Sequence, residues 1–280
     1  MKITVLMENT ALEGCGLTPE HGLSLYIEYR GRRLLLDAGS SGKFADNAQT
    51  LGADLSGVEL AVLSHGHYDH GDGLRRFFQV NSHAKVHVRP GAGGPYFSMG
   101  KDGPYFIGIH QDIWAQCQDR FVCVEGLYPL MEGAWLVPDR VQTSDSSGRS
   151  GGLLFKRGED DFIPDDFRHE QSLVLEGEQG LVVFNSCSHT GIVPIVREVL
   201  DQLPGKQVYA VVGGFHMAAK GQGALNCTPE YVFQVADALK ELGVKEIYTG
   251  HCTGETALNL LQERFGPGCH ALATGQVLNF

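Results

Sequence analysis

Within Ser64-His65-Gly66-His67-Tyr68-Asp69-His70-Gly71-Asp72-Gly73, four side chains able to bind a metal ion fall inside six residues. His65 and His67, two apart in an extended segment, project to the same side and can chelate one ion. Asp69 and His70 stand on the turn that follows, placed to reach a second ion or to orient a water molecule. Gly66, Gly71 and Gly73 permit the tight turns that such crowding demands. A divalent ion held by this set lowers the pKa of water from about 16 to about 7, which points to hydrolysis by hydroxide. The competing reading is a surface histidine cluster without metal. Its position directly behind the apolar run VELAVL counts against that reading.

Further histidines stand at the ends of apolar runs. His189 closes LVVFNSCSH and precedes a strong helical pattern, His251 follows EIYTG, and His216 ends QVYAVVGGFH. Strand ends are where layered α/β folds build their sites. For His216 the alternatives are a supporting or proton-transfer role and a plain structural histidine. Cys187 and Cys252 flank two of these histidines, either as soft metal ligands or as small buried residues. Gly213-Gly214 does not extend to a dinucleotide-binding fingerprint, and there is neither a phosphate-binding GxxxxGK[ST] loop nor a GxSxG nucleophile motif. Catalytic power must then come from metal.

The elements that position these residues are legible as short runs rich in Val, Ile, Leu or aromatics. RRLLLDAG (32–39), VELAVLSHGH (58–67), SLVLE (172–176), LVVFNSCSH (181–189), QVYAVVGGFH (207–216) and VKEIYTGHCTG (244–254) read as buried strands. Glu176-Gly177-Glu178-Gln179-Gly180 predicts a hairpin turn within 171–184. Ile192, Ile195, Val196, Val199, Leu200 and Leu203 recur at helical spacing and stop at Pro204-Gly205. Thr228-Pro229 starts a second helix that buries Val232, Val235, Leu239 and Leu242 before Gly243. A third helix is expected over Glu255–Phe265. Strands alternating with helices give a layered α/β architecture. From about 90 to 165 the periodicity is weak and glycine frequent, which predicts short elements forming an insert rather than one long loop. Tyr96, Phe97, Tyr105 and Phe106 there either line a pocket or pack the insert's own small core.

With 280 residues, 42% apolar and 20% charged, the chain has the composition of a soluble globular protein and is expected to form a single domain over 1–280. No apolar run approaches the length of a membrane span. MKITVLMENT reads as a first strand rather than a signal peptide, so a cytoplasmic location is the expectation. Seven scattered cysteines without a CxxC pair argue against a disulfide framework or a cysteine-rich structural zinc site. A net charge of −11 argues against a broad nucleic-acid surface but leaves room for a small phosphorylated substrate. A small molecule is the expected partner, and the oligomeric state is not legible.

The LSHGHYDHGDGL stretch resembles the HxHxDH signature of the metallo-β-lactamase superfamily. The resemblance runs from MKITVLMENT to TGHCTG and is weakest over about 90–165. EHGLSLYIEYRGRRLLLDAG, SCSHTGI, GGFHM and GHCTG are similar to the superfamily branch that includes dihydropterin–ribofuranosylaminobenzene phosphate synthases. It implies a four-layer αββα sandwich of two mixed sheets flanked by helices, with an insert. It also implies one or two divalent ions, zinc first and manganese or iron as alternatives. By the same resemblance His65 and His67 match ligands of the first ion, Asp69 and His70 match ligands of the second, and His189 and His251 match further ligands. Asp37 matches an acidic group supporting the metal loop, although a turn cap after a strand is an equal reading. Glu20 and His21 match the branch's EHGLS and either approach the site or form a polar loop. Many superfamily members carry a histidine before the hairpin and a bridging aspartate after it. Here His189 occupies the bridging position, and the earlier slot falls in Asp165-Asp166-Phe167-Arg168-His169-Glu170, where Asp166 or His169 ligates metal or the slot stays empty.

The resemblance implies a metallohydrolase acting on an ester, lactone, amide, thioester or phosphoester, with Asp69 orienting or deprotonating water and His216 protonating the leaving group. Three alternatives stand beside it. A transferase of the pterin synthase kind would need basic groups for phosphate, for which the insert offers Lys101, Arg149, Lys156 and Arg157. An iron-dependent oxidoreductase and a non-catalytic metal-binding protein are the others, the last disfavoured by Asp69, which a purely structural site does not need.

Overall fold

The computed structural model describes residues 1–139, 152–219 and 223–280 of an α/β protein that divides into two compact units. Over its described residues the first unit draws on Met1–Glu125, Ser150–Glu170 and Ala273–Asn279, and the second on Gly126–Arg149 and Gln171–Leu272, together with Phe280.

The first unit is built on a seven-stranded mixed sheet in the order Val277–Asn279, Lys2–Met7, Ser24–Tyr29, Arg32–Leu36, Leu60–Val62, Lys85–Val88 and Phe121–Cys123. Its first three pairings are antiparallel and its last three parallel. Arg30 and Gly31 both take positive φ, 48° and 77°, the backbone a two-residue hairpin needs to match strand twist. Parallel neighbours require crossovers. The helix Lys43–Leu51 supplies one between Leu36 and Leu60, and the helices Tyr68–Gly71 and Leu74–Val80 supply the next between Val62 and Lys85. Phe44, Ala48 and Phe77 from these helices pack with Leu35, Ala61 and Val86 of the sheet and with Ile109. Each fully buried large side chain contributes about 1.5–3 kcal/mol.

The 90–165 stretch is distributed among three sheets. Phe162–Pro164, Leu153–Lys156, Tyr96–Gly100 and Gly103–Phe106 form a small antiparallel sheet in the first unit. Phe121–Cys123 edges the large sheet, while Tyr128–Met131 and Ala134–Pro138 join the sheet of the second unit. Such three- to five-residue strands are too short to impose a period on the sequence, which is why the stretch reads as irregular. Arg149 and most of TSDSSGRSGG lie outside the described residues.

The second unit repeats the plan. Its mixed sheet runs Cys269–Ala271, Glu246–Thr249, Val208–Gly213, Gly180–Phe184, Gln171–Gly177, Ala134–Pro138 and Tyr128–Met131. The first three pairings are parallel and the last three antiparallel. The hairpin turns between Gly177 and Gly180 as expected. The helices Ile192–Gln202, Pro229–Glu241 and Glu255–Phe265 bury Ile195, Val196 and Val199, then Val232, Val235 and Leu239, then Ala257, Leu261 and Phe265. The Thr228 side chain accepts from Tyr231 N–H and Pro229 opens the first turn, so the middle helix starts where its sequence says it should. No helix among the described residues is long and apolar enough to cross a membrane.

In both units the chemistry-bearing loops leave the C-terminal ends of strands from the parallel half, the usual place for sites in such sheets. Asp37 follows Leu36, the loop with His65 follows Val62, His189 lies beyond Phe184, His216 beyond Gly213 and His251 beyond Thr249. Close approach at the first of these loops is enforced by Gly73. Its N–H donates to the Gly39 carbonyl, and a Cβ there would sit 1.9 Å from the Ala38 carbonyl oxygen. Backbone cannot yield as a side chain would, so Gly73→Ala is expected to cost at least about 2 kcal/mol of stability. Urea unfolding of the purified variant measures this, and an unchanged midpoint would show that the loop can shift without penalty.

Candidate metal centre

The first unit places His65, His67, Asp69 and His70 in one buried cluster. The His65 ring centroid lies 4.6 Å from that of His67 and 4.3 Å from that of His70. Asp37, itself buried with φ 58°, organises them. Its Oδ1 accepts from Ser64 N–H at 2.7 Å, and its Oδ2 accepts from Ser64 Oγ at 2.7 Å and from His70 Nδ1 at 2.8 Å. A hydroxyl has one proton. With that proton given to Asp37, Ser64 Oγ must accept from His65 Nδ1, 2.8 Å away. Both rings thereby carry a proton on Nδ1, which leaves Nε2 as the candidate ligand atom. A partner that fixes the tautomer and orientation of an imidazole is the arrangement metal-binding histidines use. The donor set therefore fits a divalent cation, and the turn-cap reading of Asp37 gives way to that of a support for the metal loop.

Burial, and next the neighbouring His70 and His67 rings, push the His65 pKa well below its ordinary value, so the ring stays neutral and able to bind a cation. Asp69 Oδ2 stands 3.6 Å from His70 Nε2 and 3.2 Å from Nε2 of the half-exposed His21. His21 thus reaches the site, while Glu20 is turned to Ser41 Oγ at 2.6 Å and to Lys43. The peptide between Glu20 and Leu23 passes so close that a Cβ on Gly22, φ 144°, would lie 2.3 Å from the Asp69 carbonyl oxygen.

The segment before the hairpin meets this cluster through His169, one of the two candidates there, and through Asp165 in place of Asp166. Asp166 is turned to solvent, where it pairs with Arg168 at 2.7 Å. The buried carboxylate is Asp165, whose Oδ2 lies 3.1 Å from His169 Nε2 and 3.8 Å from His67 Nε2. His169 Nδ1 accepts from Gly66 N–H at 2.9 Å. Burial opposes the charge on Asp165, but the adjacent His169, with help from His67, outweighs it and holds the carboxyl far below the usual range. Burial likewise lowers the His169 pKa, against the pull of Asp165. Tyr96 packs against His169 at a tilt of 38° with centroids 4.0 Å apart and meets His67 edge-on at 5.8 Å. Phe97 instead packs with Phe106 and Phe162, the sheet's own cluster, and Lys156 lies over Phe97 and Phe162. Arg157 pairs with Asp161, and Lys101 and Tyr105 are exposed.

In the second unit, His189 and His216 are ring neighbours with centroids 4.4 Å apart. Cys187, His251 and Cys252 bring their donor atoms within 4.8 Å of one another. Ser188, His216 and His251 all take positive φ, 52°, 47° and 49°, conformations that cost a side-chain-bearing residue energy and concentrate at functional sites. The surroundings compensate. Ser188 N–H donates to Asn185 Oδ1 at 2.6 Å, and Asn185 Nδ2 donates to Asp139 Oδ2 and Ser172 Oγ. His216 N–H points to Cys252 Sγ at 3.3 Å, and the Cys252 carbonyl accepts from Met217 and Ala218. His216 Nδ1 is buried and has no hydrogen-bond partner among the described residues. Burial would raise the Cys252 thiol pKa, but the Cys187 thiol and His251 bring it well below the ordinary value. Asp139, Ser172 and Asn185 escaped the sequence reading. The one available signal was polar residues within or directly after apolar strand runs.

These pKa directions set a pH dependence. His65 and His169 are neutral when folded at pH values where an unfolded chain, titrating near 6.5, is already protonated. The unfolded state then binds more protons, so the metal-free protein should lose stability as pH falls below about 6.5, with a further loss near and below pH 4 from Asp165. Thermal melts from pH 8 to pH 4 check this, and a melting temperature that rose on acidification would contradict the assigned directions.

The model of the family described as the metallo-beta-lactamase superfamily matches residues 17–203. A 7,8-dihydropterin-6-methyl-4-(beta-D-ribofuranosyl)-aminobenzene-5'-phosphate synthase of Methanocaldococcus jannaschii is 28% identical over 298 aligned positions, covering 100% of this chain and 97% of the relative. The crystal structure of a metal-dependent hydrolase of the beta-lactamase superfamily superposes with a TM-score of 0.82 at 26% identity, covering 100% of this chain and 99% of the other. Zinc-bound PqqB of Methylobacterium extorquens shares the fold alone, with a TM-score of 0.56 at 13% identity and full coverage of both chains. With a buried histidine–aspartate cluster suited to a divalent ion, this chain belongs to the metallo-β-lactamase superfamily as one of its metal-dependent enzymes.

Proposed function

We propose that this protein is a metal-dependent hydrolase of a small ester, lactone, amide or phosphoester. The observation that carries the reading is the Asp37–Ser64–His65 and Asp37–His70 bonding, which leaves the Nε2 atoms of two imidazoles as candidate ligand atoms, that of His70 beside the carboxylate of Asp69. A divalent ion bound by such a set supplies a nucleophile at neutral pH by acidifying water. The chain's own groups do the rest. Asp69 orients the water and takes its proton, at a distance from which His21 can exchange that proton with solvent. His189 and His251 keep the ligand role the resemblance implies, and His216 protonates the leaving group through its buried Nδ1. Zinc is the first choice, since imidazole and carboxylate suit it, with iron and manganese next.

The full-length similarity to the Methanocaldococcus synthase favours a second reading, a transferase joining a pterin-methyl diphosphate to an aminobenzene ribofuranosyl phosphate. Among the basic groups of the insert, Arg157 pairs with Asp161 at the surface and Lys156 lies over aromatic rings. Incubating the metal-loaded protein with that substrate pair, beside a panel of esters, lactones and phosphodiesters, separates the two by whether a condensed product or a hydrolysed one appears.

Elemental analysis and turnover of two variants test the metal assignment. His67→Ala should weaken metal binding by more than about 100-fold and abolish turnover. Asp69→Ala should retain most metal at the His65–His67 position yet lower turnover by about 10²–10⁴-fold, the range of a lost general base. Full metal content and full activity in the His67 variant would refute the assignment.

A further inference from the structure

We infer that Asp165 and His169 form a clamp that positions the metal loop, with one buried carboxylate shared between His169 and the ligand His67. The inference rests on the reading that His67 binds metal, and it adds a positioning pair that the HxHxDH signature does not contain. Four observations carry it. Asp165 Oδ2 accepts from His169 Nε2 at 3.1 Å, and the same oxygen is 3.8 Å from His67 Nε2, an electrostatic attraction just beyond hydrogen-bond length. His169 Nδ1, 2.9 Å from Gly66 N, can only accept there, so the ring must carry its proton on Nε2, facing Asp165. The loop between the two histidines is therefore held by a chain running from Asp165 through the His169 ring to the Gly66 amide. All three side chains are buried: His169 is 1% exposed, His67 4% and Asp165 8%, so no water replaces these partners cheaply.

The clamp is itself fixed at both ends. Asp165 Oδ1 accepts from Phe167 N–H at 2.9 Å, across a turn in which Phe167 takes φ 54°. Tyr96 lies over the His169 ring at 4.0 Å and ties its own hydroxyl to the Gly91 carbonyl at 2.7 Å. On the other side, backbone approaches Gly66 closely, since a Cβ there would meet the Ala92 carbonyl oxygen at 2.3 Å. A carboxylate facing His67 Nε2 favours the proton on that nitrogen, which leaves Nδ1 as the ligand atom. His65 and His70 are set the other way, with the proton on Nδ1 by Ser64 and Asp37. Two carboxylates thus impose opposite tautomers on neighbouring rings: Asp37 works from within the same sheet, Asp165 from a segment about a hundred residues further along the chain.

Nitrogen-15 NMR of the imidazoles in metal-free protein, with chelator competition for zinc, tests this. In the wild type His67 and His169 should both appear as Nε2–H tautomers, and His65 and His70 as Nδ1–H. Asp165→Asn and His169→Phe should keep a native circular dichroism spectrum, shift His67 toward a mixture of tautomers in the Asn variant, and weaken zinc binding by about 10–100-fold, the range for a lost partner of a metal ligand. Asp165→Glu should recover part of that loss, which a purely structural carboxylate would not predict. Wild-type zinc affinity and an unchanged His67 tautomer in Asp165→Asn would overturn the clamp. If Asp165→Asn does not fold, the wild-type tautomers decide, and His67 protonated on Nδ1 would overturn it equally. Should the wild type bind no metal at all, the metal reading fails, while the tautomers still report on the clamp.

Discussion

A single carboxylate organises the first unit's chemistry. Asp37 is buried at the end of an apolar strand and receives three hydrogen bonds, two from Ser64 and one from His70. A buried charge is tolerated only with such partners, and here the partners are the metal loop itself. The consequence is directional. Because Ser64 gives its only proton to Asp37, His65 must donate to Ser64, and the Nε2 edges of His65 and His70 are left for a ligand. The proton on Nδ1 of each ring is thus placed by covalent valence and one acceptor. The backbone agrees, since Asp37 adopts a left-handed conformation that brings its amide to the Val62 carbonyl, next to the strand that launches the loop.

The second unit reaches a comparable result with different chemistry. Its strand ends carry Ser188, His216 and His251 in strained conformations, and amide and thiol partners absorb the cost where Asp37 served before. Asn185, gripped by Asp139 and Ser172, holds the turn before His189, while the Cys252 backbone and sulfur receive three amides of the loop that carries His216. Gly213 at φ 138° allows that loop to lie against Asn185, where a Cβ would stand 1.9 Å from the carbonyl oxygen. Strain kept in place by several independent contacts is a mark of positions selected for geometry over local comfort.

Family membership and substrate are separate matters. A fold of this kind supplies the strand-end loops and the metal ligands, while specificity is written in the surrounding surface. The small antiparallel sheet shows the distinction: its Tyr96 belongs to the metal loop's surroundings by packing against His169, whereas Phe97, Phe106 and Phe162 pack together beneath Lys156.

The sequence by itself determined the elements whose signals are local. The ligand-rich loop stood out because four donors fall in six residues. The helices over 192–202, 229–241 and 255–265 and the hairpin of 171–184 followed from periodicity, caps and glycines within a few residues of each element. Asp37 entered as a candidate only through the family resemblance, since its place at a strand end fits a turn cap equally well. Contacts between distant segments were not legible. Nothing local tells Asp165 from Asp166; one is buried against His169 and the other pairs with Arg168 in solvent only because of how the chain turns at Phe167. The bond from Gly66 to His169 spans 103 positions, and the grip of Asp139 on Asn185 spans 46. The short strands of 90–165 were assigned to three sheets by pairing partners far away in sequence. Which donors the chain possesses is a property of its residues, but which atoms face a cation is decided by hydrogen bonds that exist only once remote strands lie side by side.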